Sequence, residues 1–246
     1  MTERSAFGLS GNALKILAAL TMLIDHIGFM LLPELRILRI IGRLAFPIFA
    51  FMIAEGCRYT KNRTRYFLQL FILGMACQIV NYIAQKDTLF CILITFSISI
   101  LLIYLLQAVK KVCFTDRPVW QKVAIVLTFV AAVTVVWGLN RVLRIDYGFI
   151  GCLTPVAASV FMNRERDGMP DWLMWLDRRP IHVVMLGLAL LAMALFRSRI
   201  QFWALFAMIP LLAYSGKRGR WRMKYFFYIF YPAHLVALYG VSLLLG

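Results

Sequence analysis

Nine apolar runs of about 16–22 residues, parted by short polar stretches, constrain this chain more than any other feature. About 20 consecutive apolar residues is the length of a helix that crosses a bilayer. The runs fall at about 12–32, 37–56, 66–85, 88–109, 122–139, 146–162, 181–196, 200–214 and 225–245. Of the 246 residues, 62% are hydrophobic, against about 45–50% in a soluble domain. A soluble globule of this length keeps too much of its surface wet to hide so many apolar side chains. The pattern therefore predicts an all-α polytopic transmembrane helix bundle of about nine spans, within a range of eight to ten, forming a single integral membrane domain over 1–246. The seventh and eighth runs are short and parted only by Arg197, Ser198 and Arg199, so one bent or re-entrant pair is the alternative there.

The formal net charge is +16, which in a soluble protein would point to nucleic acid. Here the Lys and Arg residues sit between apolar runs, and no basic segment stands apart from the membrane ends. That excludes a nucleic-acid partner and makes the lipid bilayer the expected one. The even-numbered loops hold Arg58, Lys61, Arg63 and Arg65, then Lys110, Lys111, Arg117 and Lys122. They continue with Arg164, Arg166, Arg178 and Arg179, then Lys217, Arg218, Arg220, Arg222 and Lys224. The odd loops carry fewer: Arg36 and Arg39, Lys86, Arg141 and Arg144, Arg197 and Arg199. This alternation predicts the cytoplasmic (inner) membrane, with the N-terminus and even loops cytoplasmic and Gly246 external.

The five Cys residues form no C-x-x-C pair, which predicts neither a disulfide nor a metal site. The first run carries Asp25 and His26 and is too long for a signal-peptide core. It reads as a retained helix beginning at Ser10 and Gly11. In the 163–180 loop, Trp172 and Trp175 are expected in the headgroup zone. His182, at the start of the seventh run, is expected at the interface.

Ionisable side chains inside a bilayer cost about 2.5–3.5 kcal/mol each on insertion scales, so the few that occur are informative. Asp25 and His26 in the first run, Arg43 in the second and His234 in the last qualify. By helical rise, His26 lies about 20 Å along the first helix, Arg43 about 9 Å along the second and His234 about 14 Å along the last. All three then share the outer half of the bilayer with Asp146 and Tyr147, which begin the sixth run. Asp25 and His26 are adjacent and so point about 100° apart, each toward a different neighbour. Arg43 is the natural counter-ion for Asp25, because a guanidinium can grip a carboxylate with two hydrogen bonds. His26 is then left to act as a base or acyl carrier, oriented by a carboxylate such as Asp146 or by a carbonyl. Intramembrane Asp, Arg and His also mark proton and ion pathways, so a transporter, or a scaffold subunit of a membrane assembly, is the competing reading. Glu55, followed by Gly56, closes the second run.

Four segments carry a family resemblance. They are LKILAALTMLIDHIGFML with its Asp25-His26 pair, RIIGRLAFPIFAFMIAEG with Gly42-Arg43 and Ala45-Phe46-Pro47, Asp146-Tyr147-Gly148 followed by Gly151, and FFYIFYPAHLVAL with His234. In this order the chain resembles the TraX family of membrane proteins. The resemblance implies a membrane-bound acetyltransferase. Its donor would be acetyl-CoA from the cytoplasm, and its acceptor an amine or hydroxyl at the outer side, such as a pilin or peptide N-terminus. Taken with the intramembrane charges, this reading gives catalytic roles to His26, Asp25, Arg43 and His234, and expects substrate contacts from Tyr147, Asp146 and Glu55.

The charge pattern has a direct test. Reporter fusions after residues 62, 114, 170 and 219 should read cytoplasmic, and those after 34, 87 and 143 external. A cytoplasmic C-terminus with the others unchanged would mean that the seventh and eighth runs do not both span.

Overall fold

The computed structural model of the chain describes residues 8–85, 88–165, 168–220 and 224–245. Lys86, Arg166, Arg222 and Gly246, used in the charge pattern above, lie outside the described residues. Among the described residues the chain is helical, with only two isolated bridges, Leu9 to Tyr214 and Phe90 to Ile145. The helices are α1 (Gly11–Met30), α2 (Arg36–Gly42), α3 (Ala45–Tyr59), α4 (Arg63–Gln85), α5 (Ile92–Cys113), α6 (Val119–Val142), α7 (Gly148–Ser159), α8 (Asp171–Leu176), α9 (Arg179–Phe196), α10 (Met208–Leu212) and α11 (Lys224–Leu245). A 3-10 helix, Arg199–Ala207, leads into α10.

All nine apolar runs are thus helical. Six stretches are long and apolar enough to cross a membrane: Gly11–Met30, Arg36–Tyr59, Arg63–Ile83, Ile92–Cys113, Val119–Val142 and Arg179–Phe196. Three are shorter: Gly148–Ser159, Arg199–Leu212 and Tyr228–Leu244. The second run is split. Pro47 has no N–H to offer the carbonyl of Arg43, and its ring crowds that carbonyl. The chain accordingly breaks between α2 and α3 at Arg43 and Leu44 and resumes at Ala45, which places Pro47 in a first turn, where proline is tolerated. The eighth run is mostly 3-10, a tighter winding seldom sustained for nine residues.

The chain divides into two compact units, one from residues up to Met52 and from Leu190 onward, the other Ile53–Ala189. In the first unit, α1 packs against α2 and α11. Its start is built as the sequence predicts: the Ser10 hydroxyl accepts from the Ala13 N–H at 3.2 Å. The N–H groups of Gly11 and Asn12, which no helix bond can satisfy, donate to the carbonyls of Lys217 and Arg218 at 2.8 and 3.0 Å.

In the second unit, α4, α6 and α7 all pack on α5. Hydroxyls on α5 are turned onto backbone carbonyls, as buried polar groups must be. Thr95 Oγ1 donates to Asp146 O at 2.8 Å, and Ser99 Oγ to Cys152 O at 2.8 Å. Lys110 Nζ, also buried, donates to Ser159 O and Met162 O at 3.2 and 3.1 Å, so it closes the carbonyl end of α7. Only Val136 of α6 is buried, which leaves that apolar helix to face lipid.

One tie in this unit departs from the expectation for loop charges. Arg58, at the end of α3, grips Asp177 with two parallel bonds, Nη1 to Oδ1 at 2.8 Å and Nη2 to Oδ2 at 2.7 Å. The Asp177 side chain is 0% exposed. His182, expected at the interface, is buried within the protein, with Nε2 at 3.2 Å from Asp177 Oδ1, though without the alignment of a hydrogen bond. The 163–180 loop folds inward at Asp177, while Trp172 and Trp175 on α8 stay exposed. Burial pushes the Asp177 carboxyl up, but His182 and Arg58 outweigh it and hold the group below its usual value. The folded value lies below the unfolded one. The stabilisation is therefore complete above about pH 4 and is lost as the pH falls through the folded value. Asp177→Asn should cost about 3–5 kcal/mol at neutral pH, because Arg58, whose side chain is only 12% exposed, loses its counter-ion. The gap in detergent melting temperature between parent and variant should close in acid.

Candidate functional site

Asp25 sits five residues from the end of α1, where the neighbouring residues of the run include no Lys or Arg. Its counter-ions come from α2 and the break that follows it. Arg43 Nη2 donates to Asp25 Oδ1 at 2.5 Å, and Arg39 Nη1 donates to Asp25 Oδ2 at 2.7 Å and to the Asp25 carbonyl at 3.2 Å. Arg43 Nε also donates to the Arg39 carbonyl at 3.1 Å. The expected Asp25–Arg43 pair is present, and a second guanidinium joins it. Arg39 is four residues before Arg43 and so shares its helix face. The spacing could have revealed it, but its place near the helix end made it look like a loop charge.

The two arginines differ in what remains open to them. The Arg43 side chain is 8% exposed and committed to Asp25 and a carbonyl, whereas that of Arg39 is 29% exposed. Arg39 also lies over the Phe29 ring, 5.0 Å from its centroid, an arrangement that steadies a cation. Gly42 makes the approach possible. A Cβ there would collide with Cβ, Cγ and Oδ1 of Asp25, so no other residue lets α2 come so close.

His26 faces the other way, to α11. Its Nδ1 lies 2.9 Å from the Met22 carbonyl and 3.2 Å from His234 Nε2. The Nδ1 of His234 lies 2.8 Å from the Phe230 carbonyl. A carbonyl only accepts, so the nitrogen facing it carries the hydrogen in each ring. Both neutral imidazoles are therefore Nδ1–H tautomers, assigned from the hydrogen-bond partners. His26 Nδ1–H is shared between Met22 O and the bare His234 Nε2, and His26 Nε2 is left with a free lone pair. His234 is buried, with its ring stacked on Phe230 at 5.1 Å and edge-on to Tyr231 at 5.6 Å. The expected orienting group for His26 was a carboxylate, such as Asp146, or a carbonyl. In this unit it is the Met22 carbonyl, joined by a second histidine.

Asp25, His26, Arg43 and His234 thus come together in one unit, with Arg39 added. Glu55, Asp146 and Tyr147 belong to the other unit. Glu55 is half-buried on α3. Asp146 and Tyr147 form the turn into α7, where the Tyr147 N–H donates to Asp146 Oδ1 at 2.9 Å. Tyr147 has φ +56° and Gly148 has φ +62°. A non-glycine residue held in this region costs about 1–2 kcal/mol, and such strain collects where function fixes a side chain. Sequence reading missed Arg58, Asp177 and His182 as a buried group, since nothing local separates them from solvated loop charges.

A family model described as TraX protein matches residues 10–242. A protein of Dichelobacter nodosus, named as a probable fimbrial assembly protein (FimC, serogroup H1), is 26% identical over 96% of this chain and 97% of its own length. An uncharacterised protein of Rickettsia prowazekii is 45% identical over 78 residues, which is 32% of this chain and 29% of that protein, so the match spans under a third of that relative. No solved structure matches.

The double-arginine clamp has a measurable signature. Asp25→Asn alone should destabilise more than Asp25→Asn with Arg43→Gln, because the single variant strands the buried Arg43, whereas the double variant leaves only the more exposed Arg39 without its carboxylate. A double-mutant cycle on melting temperature should give a coupling of about 1–3 kcal/mol. No coupling would mean that the pair does not hold α1 to α2.

Proposed function

The chain belongs to the TraX family, and on that premise we propose that it transfers an acetyl or other short acyl group from a thioester donor, acetyl-CoA, to an amine or hydroxyl acceptor. The Dichelobacter relative's name ties that protein to fimbrial assembly, which favours a fimbrial or pilin N-terminus as the acceptor here. The observation that carries the reading is the His26–His234 pair, with a free lone pair at His26 Nε2 and the proton at Nδ1 held by two acceptors.

The chemistry needs a base that takes a proton as the acceptor attacks and gives it up as the donor leaves. The acceptor nitrogen or oxygen adds to the thioester carbonyl carbon while His26 Nε2 removes its proton. The resulting imidazolium keeps its Nδ1–H shared between Met22 O and His234 Nε2, which spreads the charge. The carbon–sulfur bond then breaks and His26 returns the proton to the thiolate sulfur. The oxyanion formed on addition needs preorganised donors. Asp25 cancels one of the two guanidinium charges, so the cluster keeps a net positive charge beside His26. Arg39, with unused N–H groups and the more open side chain, suits that role better than Arg43.

Purified protein is incubated with labelled acetyl-CoA and an acceptor peptide, and label on the peptide is followed. His26→Ala should lower transfer at least ~100-fold, the usual lower bound for a positioned acid–base group. His234→Ala should cost less, and His234→Gln less again, since an amide oxygen can accept from His26 Nδ1–H. Melting temperatures must match the parent's. Well-folded His26→Ala protein that transfers at near the parental rate would overturn the mechanism.

A further inference from the structure

One end of the second unit gathers more hydrogen-bond donors than the protein there can satisfy. Arg63, the first residue of α4, reaches α5, where its Nη2 donates to Gln107 Oε1 at 3.2 Å and its guanidinium lies 5.2 Å from the centroid of the Tyr104 ring. Arg164, in the loop after α7, donates through Nη1 to the Cys57 carbonyl at 3.5 Å, a long bond. Both guanidiniums lie within electrostatic reach of the Cys57 thiol and the Tyr104 hydroxyl, and the Tyr104 hydroxyl donates to the Arg63 carbonyl at 3.4 Å. Neither arginine meets a carboxylate among the described residues. The nearby Asp177 is already gripped by Arg58, and Lys110 is spent on the carbonyls of Ser159, the last residue of α7, and of Met162 just beyond it. The Gln107 side chain is buried, and its Nε2 has no partner.

These facts constrain the ligand. Each guanidinium carries five N–H groups and uses one of them on the protein here, while the Gln107 amide adds two with no acceptor. Two like charges around one phenol repel unless a counter-ion joins them. What completes the site is therefore anionic, rich in acceptors and donates nothing. A phosphate group meets all three demands, and paired guanidiniums are its usual partners. We infer that Arg63, Arg164 and Gln107 form a binding site for the phosphate of a phosphate-bearing ligand. On the acyl-transfer reading above, on which this assignment of source rests, the phosphate belongs to coenzyme A. A phospholipid headgroup offers the same chemistry, so the test separates the two.

Full-length protein in nanodiscs of zwitterionic lipid is titrated with coenzyme A, and native mass spectrometry follows retained phosphatidylglycerol in a parallel sample. Arg63→Gln and Arg164→Gln should each weaken coenzyme A binding about 10-fold, the size of one lost charge-assisted hydrogen bond. In the transfer assay they should raise KM for acetyl-CoA with kcat preserved. If coenzyme A does not bind but phosphatidylglycerol is retained by the parent and lost from the variants, the site stands with lipid as its phosphate source. If the folded double variant holds both ligands as the parent does, the inference is overturned. Where the Gln variants fail to fold, Arg63→Lys and Arg164→Lys keep the charge without the planar fork and must still weaken binding. Failure of this site leaves the His26 result untouched. Conversely, coenzyme A bound through Arg63 and Arg164 with no acyl transfer would overturn the reaction and leave the site standing.

Discussion

Asp25 carries a carboxylate into a helix with few other polar groups, in a solvent that offers no hydrogen bonds. That charge is tolerable only because two guanidiniums neutralise it and fill its lone pairs. Much else in its unit follows from this requirement. Arg39 and Arg43 must lie on one face of α2, α2 must come within touching distance of α1, and the residue at the contact must lack a side chain, which Gly42 does. Pro47 ends the helix at the point where Arg43 has been delivered. The adjacent His26 is then directed away from α2 and onto α11. One buried charge thus fixes the contact between α1 and α2 and the direction in which the candidate base points.

Buried charge is handled differently in the second unit. Arg58 and Asp177 join two chain segments that lie 119 residues apart, and Lys110 serves as a cap for a helix that has no glycine to end it. In both cases a long cationic side chain at a helix end places its head on a fixed acceptor. The membrane setting explains the economy of the design, since few charges enter and nearly all that do are assigned a backbone or carboxylate partner. Arg63 and Arg164 depart from that economy, since neither meets a carboxylate among the described residues and each spends one N–H of five, on Gln107 and on the Cys57 carbonyl.

Much of this was legible in the sequence because lipid enforces simple rules. The apolar runs marked every long helix, Ser10 marked the start of α1, and the cost of a lone carboxylate pointed from Asp25 to Arg43. What stayed hidden depended on contacts that no local pattern encodes. His26 and His234 are 208 residues apart, and each alone reads as a buried histidine. Arg58, Asp177 and His182 look like loop charges until the loop is seen folding inward. Arg39 was within reach, since its spacing from Arg43 is that of one helical turn. The break at Arg43 was also available from Pro47, whose missing N–H must interrupt the ladder somewhere in the second run.

The carbonyl of Met22 limits what the histidine pair can do with a proton. Suppose His26 passed its Nδ1 hydrogen to His234 after gaining one at Nε2. A bare nitrogen lone pair would then face the Met22 oxygen at 2.9 Å, which sets two acceptors in repulsive contact. Such a state is short-lived, and the hydrogen falls back. The pair therefore behaves as a reservoir for a single proton and not as a wire to bulk solvent. In the proposed transfer, which takes a proton from one partner and restores it to the other, such a closed circuit would need no aqueous path to the base.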